Sequence, residues 1–282
     1  MNNMHKYFNM THGPIGVFDS GYGGLTILDE IRKKMPQYDY IYLGDNARSP
    51  YGNRSFDVVY EYTRECTQKL FEMGCPLVIY ACNTASAKAL KSVQQNDLPI
   101  WNPDRRVLGI IRPTAEHIGN ITKNGHIGIF CTIGTMQSES YPLEIHKLFP
   151  ATTVTCQACP LWVPLIENGE HDSDGADYFV KKYIDELLEK DPEIDTIILG
   201  CTHYPLLFDK IKKYLPSHIT PIMQGEIVAD SLQDYLRRHS DLEKFLTRNG
   251  ECQFYTTESA EKFQHSAAIF LHQPVEAKHI RL

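Results

Sequence analysis

Short apolar runs alternate with helical patterns along most of the chain. Strands are predicted where four or five apolar residues stand together between turn residues, and helices where apolar residues recur every three or four positions. Their rhythm is typical of parallel sheets with helices on both faces. The predicted strands are 15–18, 40–43, 77–81, 127–130 and 196–200, and the predicted helices are 25–35, 56–73, 84–95, 177–190 and 206–215.

The second half of the chain repeats the pattern of the first. Ile15 to Phe18 resembles Ile127 to Phe130 at an offset of 112 (127 − 15), and Cys82 and Cys201 differ by 119 (201 − 82). Unrelated α/β lobes also share apolar strands, but near-equal offsets favour two related lobes. We therefore predict an α/β fold of two pseudo-symmetric lobes, each a mostly parallel sheet flanked by helices, with the active site in the cleft between them.

The first lobe is expected to be formed by two separate segments of the chain, and the second lobe by one continuous segment. The first is predicted to comprise residues 13–106 plus 222–282, and the second residues 107–221. A helical pattern at 232–246 and an edge strand at 253–257 need a sheet on which to pack, so the C-terminal segment is expected to return to the first lobe.

Composition narrows the class of protein. With 282 residues, 42% of them hydrophobic, the chain can bury two medium-sized cores. A formal charge of −7 (28 basic minus 35 acidic residues) argues against nucleic acid as a partner. Residues 1–12 are polar and carry no signal-peptide run, and no later stretch has the length of a membrane span. We therefore expect a cytoplasmic protein with no membrane partner.

Two cysteines are the strongest candidates for chemistry. Cys82 and Cys201 each follow a strand and precede a helix. Ligands of open parallel sheets bind outside the carboxyl ends of the strands, and a helix N-terminus favours a thiolate and a bound carboxylate. A free cysteine is more often buried and inert. Two cysteines in matched positions of two lobes favour a catalytic pair.

The other candidates carry weaker signals. Asp19 begins a glycine-rich turn, residues 19–24, which departs from the dinucleotide and P-loop patterns. His203 is either a structural histidine or a titratable group beside Cys201. The lone C-x-x-C of Cys156 and Cys159 is expected to be structural, because zinc would need a second ligand pair.

Five motifs together resemble the glutamate racemase family, within the aspartate/glutamate racemase superfamily, over most of the chain. Both cysteine motifs, in this order and context, are highly specific. The motifs are Asp19-Ser20-Gly21-Tyr22-Gly23-Gly24-Leu25, Gly44-Asp45-Asn46-Ala47-Arg48-Ser49-Pro50-Tyr51-Gly52, Ala81-Cys82-Asn83-Thr84-Ala85-Ser86, the series Thr132, Thr135, Ser138 and Tyr141, and Leu199-Gly200-Cys201-Thr202-His203-Tyr204-Pro205-Leu206-Leu207.

The resemblance implies a racemase that moves the α-proton of glutamate between two opposed thiols, without a cofactor or metal. Cys82 would take the proton from D-glutamate and Cys201 from L-glutamate, with Asp19 and His203 tuning the thiols. Thr132 and Thr135 would hold the side-chain carboxylate. D-glutamate would feed peptidoglycan synthesis, and we expect a homodimer. The residues implied to contact the substrate are Asp19, Ser20, Tyr51, Gly52, Asn83, Thr84, Thr132, Thr135, Thr202 and His203.

Two segments depart from the family pattern. Ile111-Arg112-Pro113-Thr114 stands where Glu-Pro-Gly is usual, and Met223-Gln224-Gly225 replaces an Asp-Ser. Neither departure is expected to touch a catalytic position. Two other functions remain open: a racemase of aspartate or another amino acid, with a pocket of different length, and a non-enzymatic amino-acid binding protein, which would not need both thiols.

Overall fold

The computed structural model describes residues 10–282; most of the polar N-terminal segment, where no signal peptide is predicted, lies outside them. The described residues form two sheets, and every pairing between the strands of these sheets is parallel. The first sheet has the order β10 (Ala277–His279), β9 (Cys252–Thr256), β2 (Tyr40–Gly44), β1 (Ile15–Asp19), β3 (Leu77–Tyr80), β4 (Arg106–Gly109). The second has the order β6 (Thr153–Ala158), β5 (His126–Cys131), β7 (Thr196–Gly200), β8 (Thr220–Ile222).

The two sheets share one topology. The series β2-β1-β3-β4 of the first sheet has the same order as β6-β5-β7-β8 of the second. Strand β1 is therefore the counterpart of β5, and β3 is the counterpart of β7. This confirms the predicted fold of two pseudo-symmetric α/β lobes, and it places Cys82 and Cys201 at equivalent strand ends.

Helices cover both faces of each sheet. In β1, Ile15 and Val17 belong to one apolar cluster, while Phe18 points to another cluster on the opposite face. Such alternation is what a strand covered on both sides requires. The helices are α1 (Leu25–Lys34), α2 (Phe56–Glu72), α3 (Asn83–Lys88), α4 (Leu90–Ser92), α5 (Leu98–Trp101), α6 (Ile111–Ile118), α7 (Ile133–Gln137), α8 (Ser140–Leu148), α9 (Trp162–Glu167), α10 (Asp174–Lys190), α11 (Phe208–Tyr214), α12 (Gly225–Arg238), α13 (Ser240–Glu243) and α14 (Ala260–Leu271).

Some predicted elements differ from those in the structure. The predicted edge strand 253–257 is β9, and it is not at the edge, because β10 pairs along its outer side. The predicted helix 84–95 is interrupted at Ala89, between α3 and α4. The helix predicted from residue 206 begins as a tight turn at Tyr204–Leu207 and continues as α11.

The lobe boundaries proposed from the sequence, 13–106 plus 222–282 and 107–221, stay a prediction. Strand β4 crosses the first of them, because residues 106–109 pair with β3 in the first sheet. Within residues 10–282 no helix is both long and apolar enough to cross a membrane.

Candidate active site

Both candidate thiols open onto one cavity between the lobes. Cys82 follows β3 and Cys201 follows β7, and both side chains line a cavity of about 170 Å³. The cysteines are only 5% and 6% exposed. The matched topology of the two sheets thus brings two residues 119 positions apart (201 − 82) to the same enclosed space.

Most of the residues that the sequence analysis singled out lie around this cavity. Asp19 and Thr135 do not line it, and lie immediately behind residues that do. Asp19 is next in the chain to Ser20, and Thr135 Oγ1 lies 3.1 Å from Thr132 Oγ1. The singled-out residues that line the cavity are Ser20, Tyr51, Gly52, Cys82, Asn83, Thr84, Thr132, Cys201, Thr202 and His203.

The Cys82 thiol is held in its protonated form. Its sulfur lies 3.4 Å from Ser20 Oγ and accepts a hydrogen bond from the Ala85 N–H at 3.4 Å, at the start of α3. Burial, and then the negative charge of Asp19, nevertheless raise the pKa of Cys82 to about 12. The hydrogen bond from the helix N-terminus acts in the expected direction and lowers the pKa of Cys82, but desolvation outweighs it.

The Cys201 thiol lies beside a histidine side chain. His203 Nδ1 lies 3.9 Å from Cys201 Sγ, and His203 Nε2 lies 3.0 Å from Glu167 Oε1. Burial alone would lower the pKa of His203, but its hydrogen bonds to Cys201 and Glu167 raise that pKa to about 10. His203 is therefore an imidazolium at neutral pH, and it places a positive charge beside the Cys201 sulfur.

Asp19 lies at the end of β1, beneath the glycine-rich turn. Its Oδ2 accepts a hydrogen bond from the Gly21 N–H at 2.8 Å, whereas Oδ1 is buried without a hydrogen-bond partner among residues 10–282. Burial raises the pKa of Asp19, against the positive charge of His203. The carboxyl group therefore retains an acceptor that no described residue uses.

Gly23, in the glycine-rich turn, is required by the close approach of the other lobe. A Cβ atom added to Gly23 would lie 2.4 Å from both His203 Nδ1 and Thr202 Oγ1. Next to it, Thr26 Oγ1 donates a hydrogen bond to the Thr202 carbonyl at 3.1 Å. The turn is thus a close contact between the lobes at Cys201, and does not resemble a phosphate-binding loop in its role.

Hydroxyl groups line the part of the cavity that faces the second lobe. Thr84 Oγ1 lies 3.0 Å from Thr132 Oγ1 and 3.5 Å from Thr135 Oγ1. The Gly134 N–H donates to the Gly52 carbonyl at 2.7 Å and joins the lobes beside them. Tyr51, by contrast, donates its hydroxyl hydrogen to Asp45, so that hydrogen is already used within the protein.

Two residues of the site carried no motif signal. Glu167, at the end of α9, is hydrogen bonded to His203 Nε2. Gln224 accepts a hydrogen bond from Asn83 Nδ2 at 2.7 Å. Gln224 belongs to one of the two segments that depart from the family pattern. This segment thus contacts Asn83, a candidate substrate-binding residue next to Cys82, although it does not touch either thiol directly.

The C-x-x-C cysteines differ in position. Cys159 lines the cavity, and Cys156 does not. All eight cysteines are free, and residues 10–282 contain no group of three or more His, Cys, Asp or Glu side chains placed to hold a metal ion. The described residues therefore give the zinc hypothesis no ligand set.

Known proteins match this architecture and sequence. Residues 26–228 match the family model of Asp/Glu/Hydantoin racemase. The glutamate racemase of Persephonella marina is 41% identical over 251 residues, which cover 89% of this chain and 90% of that protein.

Solved structures agree with these matches. A glutamate racemase isoform from Bacillus anthracis superposes with a TM-score of 0.87 at 36% identity, covering 96% of this chain and 98% of the other. The glutamate racemase of Francisella tularensis, solved in complex with D-glutamate, gives a TM-score of 0.83 at 32% identity, covering 96% and 97%. Sequence and fold agree over nearly the whole chain, and the chain therefore belongs to the glutamate racemase family of amino-acid racemases.

Proposed function

We propose that this protein interconverts L-glutamate and D-glutamate through two thiols, without a cofactor. The observation that carries the proposal is the position of Cys82 and Cys201 at equivalent strand ends, where both line one small cavity. His203 supplies positive charge to one sulfur, and burial keeps the other protonated. Racemisation needs a base on one face of the α-carbon and an acid on the other, and this pair supports both.

Each direction of the reaction uses one cysteine as a thiolate base and the other as a thiol acid. In the conversion of L-glutamate, the Cys201 thiolate takes the α-proton and the Cys82 thiol donates its proton to the opposite face. The products are D-glutamate, a Cys201 thiol and a Cys82 thiolate, so one proton is removed and one is added. D-glutamate reacts by the reverse path.

The α-proton of an amino acid is a weak acid, so the developing carbanion needs electrostatic stabilisation. The donors proposed for the α-carboxylate are the Asn83 side chain and the N–H groups near Thr84 and Thr202. The free acceptor of Asp19 suits the substrate ammonium group, and its burial makes an unpaired acceptor costly. Thr132 and Thr135 are proposed to bind the side-chain carboxylate.

The biological setting follows the relatives. We propose that the D-glutamate is used in peptidoglycan synthesis, in the cytoplasm, and that two copies of the chain form a homodimer. Glutamate is the proposed small-molecule partner, and D-glutamate is bound in the Francisella tularensis structure.

Circular dichroism of L-glutamate incubated with the pure protein tests the proposal directly. Cys82→Ala and Cys201→Ala should each abolish racemisation in both directions, and each serine variant should lose at least about 10³-fold, or about 4 kcal/mol of transition-state stabilisation. Cys156→Ala is the matched control, because Cys156 lies outside the cavity, and it should keep normal turnover.

Two further readouts separate the alternatives. Deuterium from solvent should enter the Cα position of glutamate, which an amino-acid binding protein would not achieve. L-aspartate turnover at least equal to that of L-glutamate would assign the protein to another substrate. Near-normal racemisation by folded Cys82→Ala or Cys201→Ala would contradict the two-thiol mechanism.

A further inference from the structure

We propose that Gln224 is a positioning residue which, together with Thr114, orients the Asn83 side chain so that it presents an N–H group to the cavity. The inference rests on the proposed racemisation and adds to it a pair of residues outside the family motifs. It is carried by a closed set of buried hydrogen bonds that lies directly behind Cys82.

Three side chains form a ring. Asn83 Nδ2 donates to Gln224 Oε1 at 2.7 Å, Gln224 Nε2 donates to Tyr141 Oη at 2.7 Å, and Tyr141 Oη donates to Asn83 Oδ1 at 2.7 Å. Asn83 and Gln224 are each 2% exposed and Tyr141 is 1% exposed. Water cannot readily replace any of these bonds, so a lost partner leaves a buried polar group unsatisfied.

Thr114 fixes the direction of every bond in the ring. Its hydroxyl donates to the Ile110 carbonyl at 2.8 Å and accepts from Gln224 Nε2 at 2.8 Å. A carbonyl oxygen can only accept, so the one hydroxyl hydrogen of Thr114 is committed to Ile110. The nitrogen of the Gln224 amide must then face Thr114, and its oxygen must face Asn83.

This direction determines what Asn83 can offer a ligand. Turning its amide by 180° would place two carbonyl oxygens, those of Asn83 and Gln224, against each other and lose two hydrogen bonds. In the favoured orientation one hydrogen of Asn83 Nδ2 is used by Gln224 and the other is free. Because Asn83 borders the cavity, the free N–H is the donor available to a bound carboxylate.

Both departures from the family pattern meet in this network. Thr114 stands in one departing segment and Gln224 in the other, 110 residues apart, and their side chains are hydrogen bonded. The side chains of the two segments and Asn83 therefore form one hydrogen-bonded unit.

The predicted effect is on turnover more than on binding. Removal of the α-proton moves negative charge onto the α-carboxylate, so an N–H aimed at that group gains strength in the transition state. Loss of the orienting residues should therefore lower kcat while leaving KM nearly unchanged.

The test compares four variants with the full-length wild-type protein. Gln224→Met and Thr114→Val should lower kcat roughly 10- to 100-fold in both directions, with KM within about threefold. Thr114→Ser keeps the hydroxyl and should restore kcat to within about threefold of wild type. Thr67→Val removes a different buried hydroxyl pair, that of Thr67 and Tyr80, and controls for general destabilisation.

A second measurement does not depend on activity. In spectra of ¹⁵N-labelled protein, the Asn83 side-chain amide, assigned by its absence from Asn83→Ala, should show one proton protected from solvent exchange. Protection should be lost in Thr114→Val and kept in Thr114→Ser.

The outcomes distinguish this inference from the proposed function. An inactive wild type would reject racemisation, while the exchange data would still decide the orientation of Asn83. Active wild type with kcat within twofold in both Gln224→Met and Thr114→Val would overturn the positioning role. Equal losses in the two Thr114 variants, or an equal loss in Thr67→Val, would overturn it as well.

Discussion

Replacement of Glu167 by glutamine isolates the charge that supports His203. Glu167 Oε1 lies 3.0 Å from His203 Nε2, and the imidazole lies 3.9 Å from the Cys201 sulfur. Burial opposes protonation of His203, yet hydrogen bonding to Cys201 and Glu167 raises its pKa to about 10. Glutamine keeps the shape of Glu167 and removes its charge.

The size of the effect follows from the contact. A hydrogen bond between charged groups contributes about 1.5–3 kcal/mol, which corresponds to roughly one to two pH units. His203 is charged below its pKa, so activity that needs the imidazolium is present at low pH and is lost as the pH rises. The alkaline limb of kcat/KM, expected near pH 10 in the wild type, should move down by about one to two pH units in Glu167→Gln.

Initial rates of racemisation from pH 6 to pH 11, followed by circular dichroism from either enantiomer, measure this limb. NMR titration of the His203 ring protons gives the same transition independently. Glu186→Gln is the control, because Glu186 bonds Gln157 at 2.7 Å outside the cavity. An unmoved alkaline limb in Glu167→Gln, or an equal shift in Glu186→Gln, would contradict this role of the Glu167 charge.

Three other outcomes follow from the structure. Burial raises the pKa of Cys82 to about 12. Alkylation of Cys82 by iodoacetamide in the Cys201→Ala variant, measured by mass spectrometry, should therefore accelerate about tenfold per pH unit from pH 7 to pH 10. A plateau of the alkylation rate below pH 9 would contradict this. Lys88 is buried and donates to the Arg54 carbonyl at 2.6 Å, so Lys88→Met should loosen the loop beside Gly52 and raise KM for glutamate several-fold in steady-state assays. Dialysis against a chelator should leave turnover unchanged, and activity that returned only with added metal would contradict a cofactor-independent mechanism.

The parts of the site that lie within one strand–turn–helix unit could be predicted from the sequence. Cys82 and Cys201 follow buried apolar strands, and the polarity of parallel sheets then places both at ligand-binding edges. Strand β6 was missed because Thr153–Ala158 is a partly exposed edge strand with interspersed polar residues.

Contacts between distant segments could not be predicted in this way. Glu167 meets His203 across 36 residues, and Gln224 meets Asn83 across 141. The periodicity of apolar residues along the chain does not indicate which distant residues will be in contact. The raised pKa of Cys82 could not be predicted either, because it depends on burial between the two lobes, which helix position alone does not reveal.

The unlike surroundings of the two sulfurs have a consequence for the turnover cycle. Enantiomers have equal free energies in water, so kcat/KM must be the same in both directions whatever the asymmetry of the protein. Under the proposed mechanism, each L-to-D conversion leaves Cys82 ionised, the state that its burial disfavours. The free enzyme must then exchange protons with solvent before it accepts another L-glutamate. At high substrate concentration this proton exchange, and not abstraction of the α-proton, would set the rate. D-glutamate would bind the free enzyme in which Cys82 is still ionised, and would be converted back to L-glutamate.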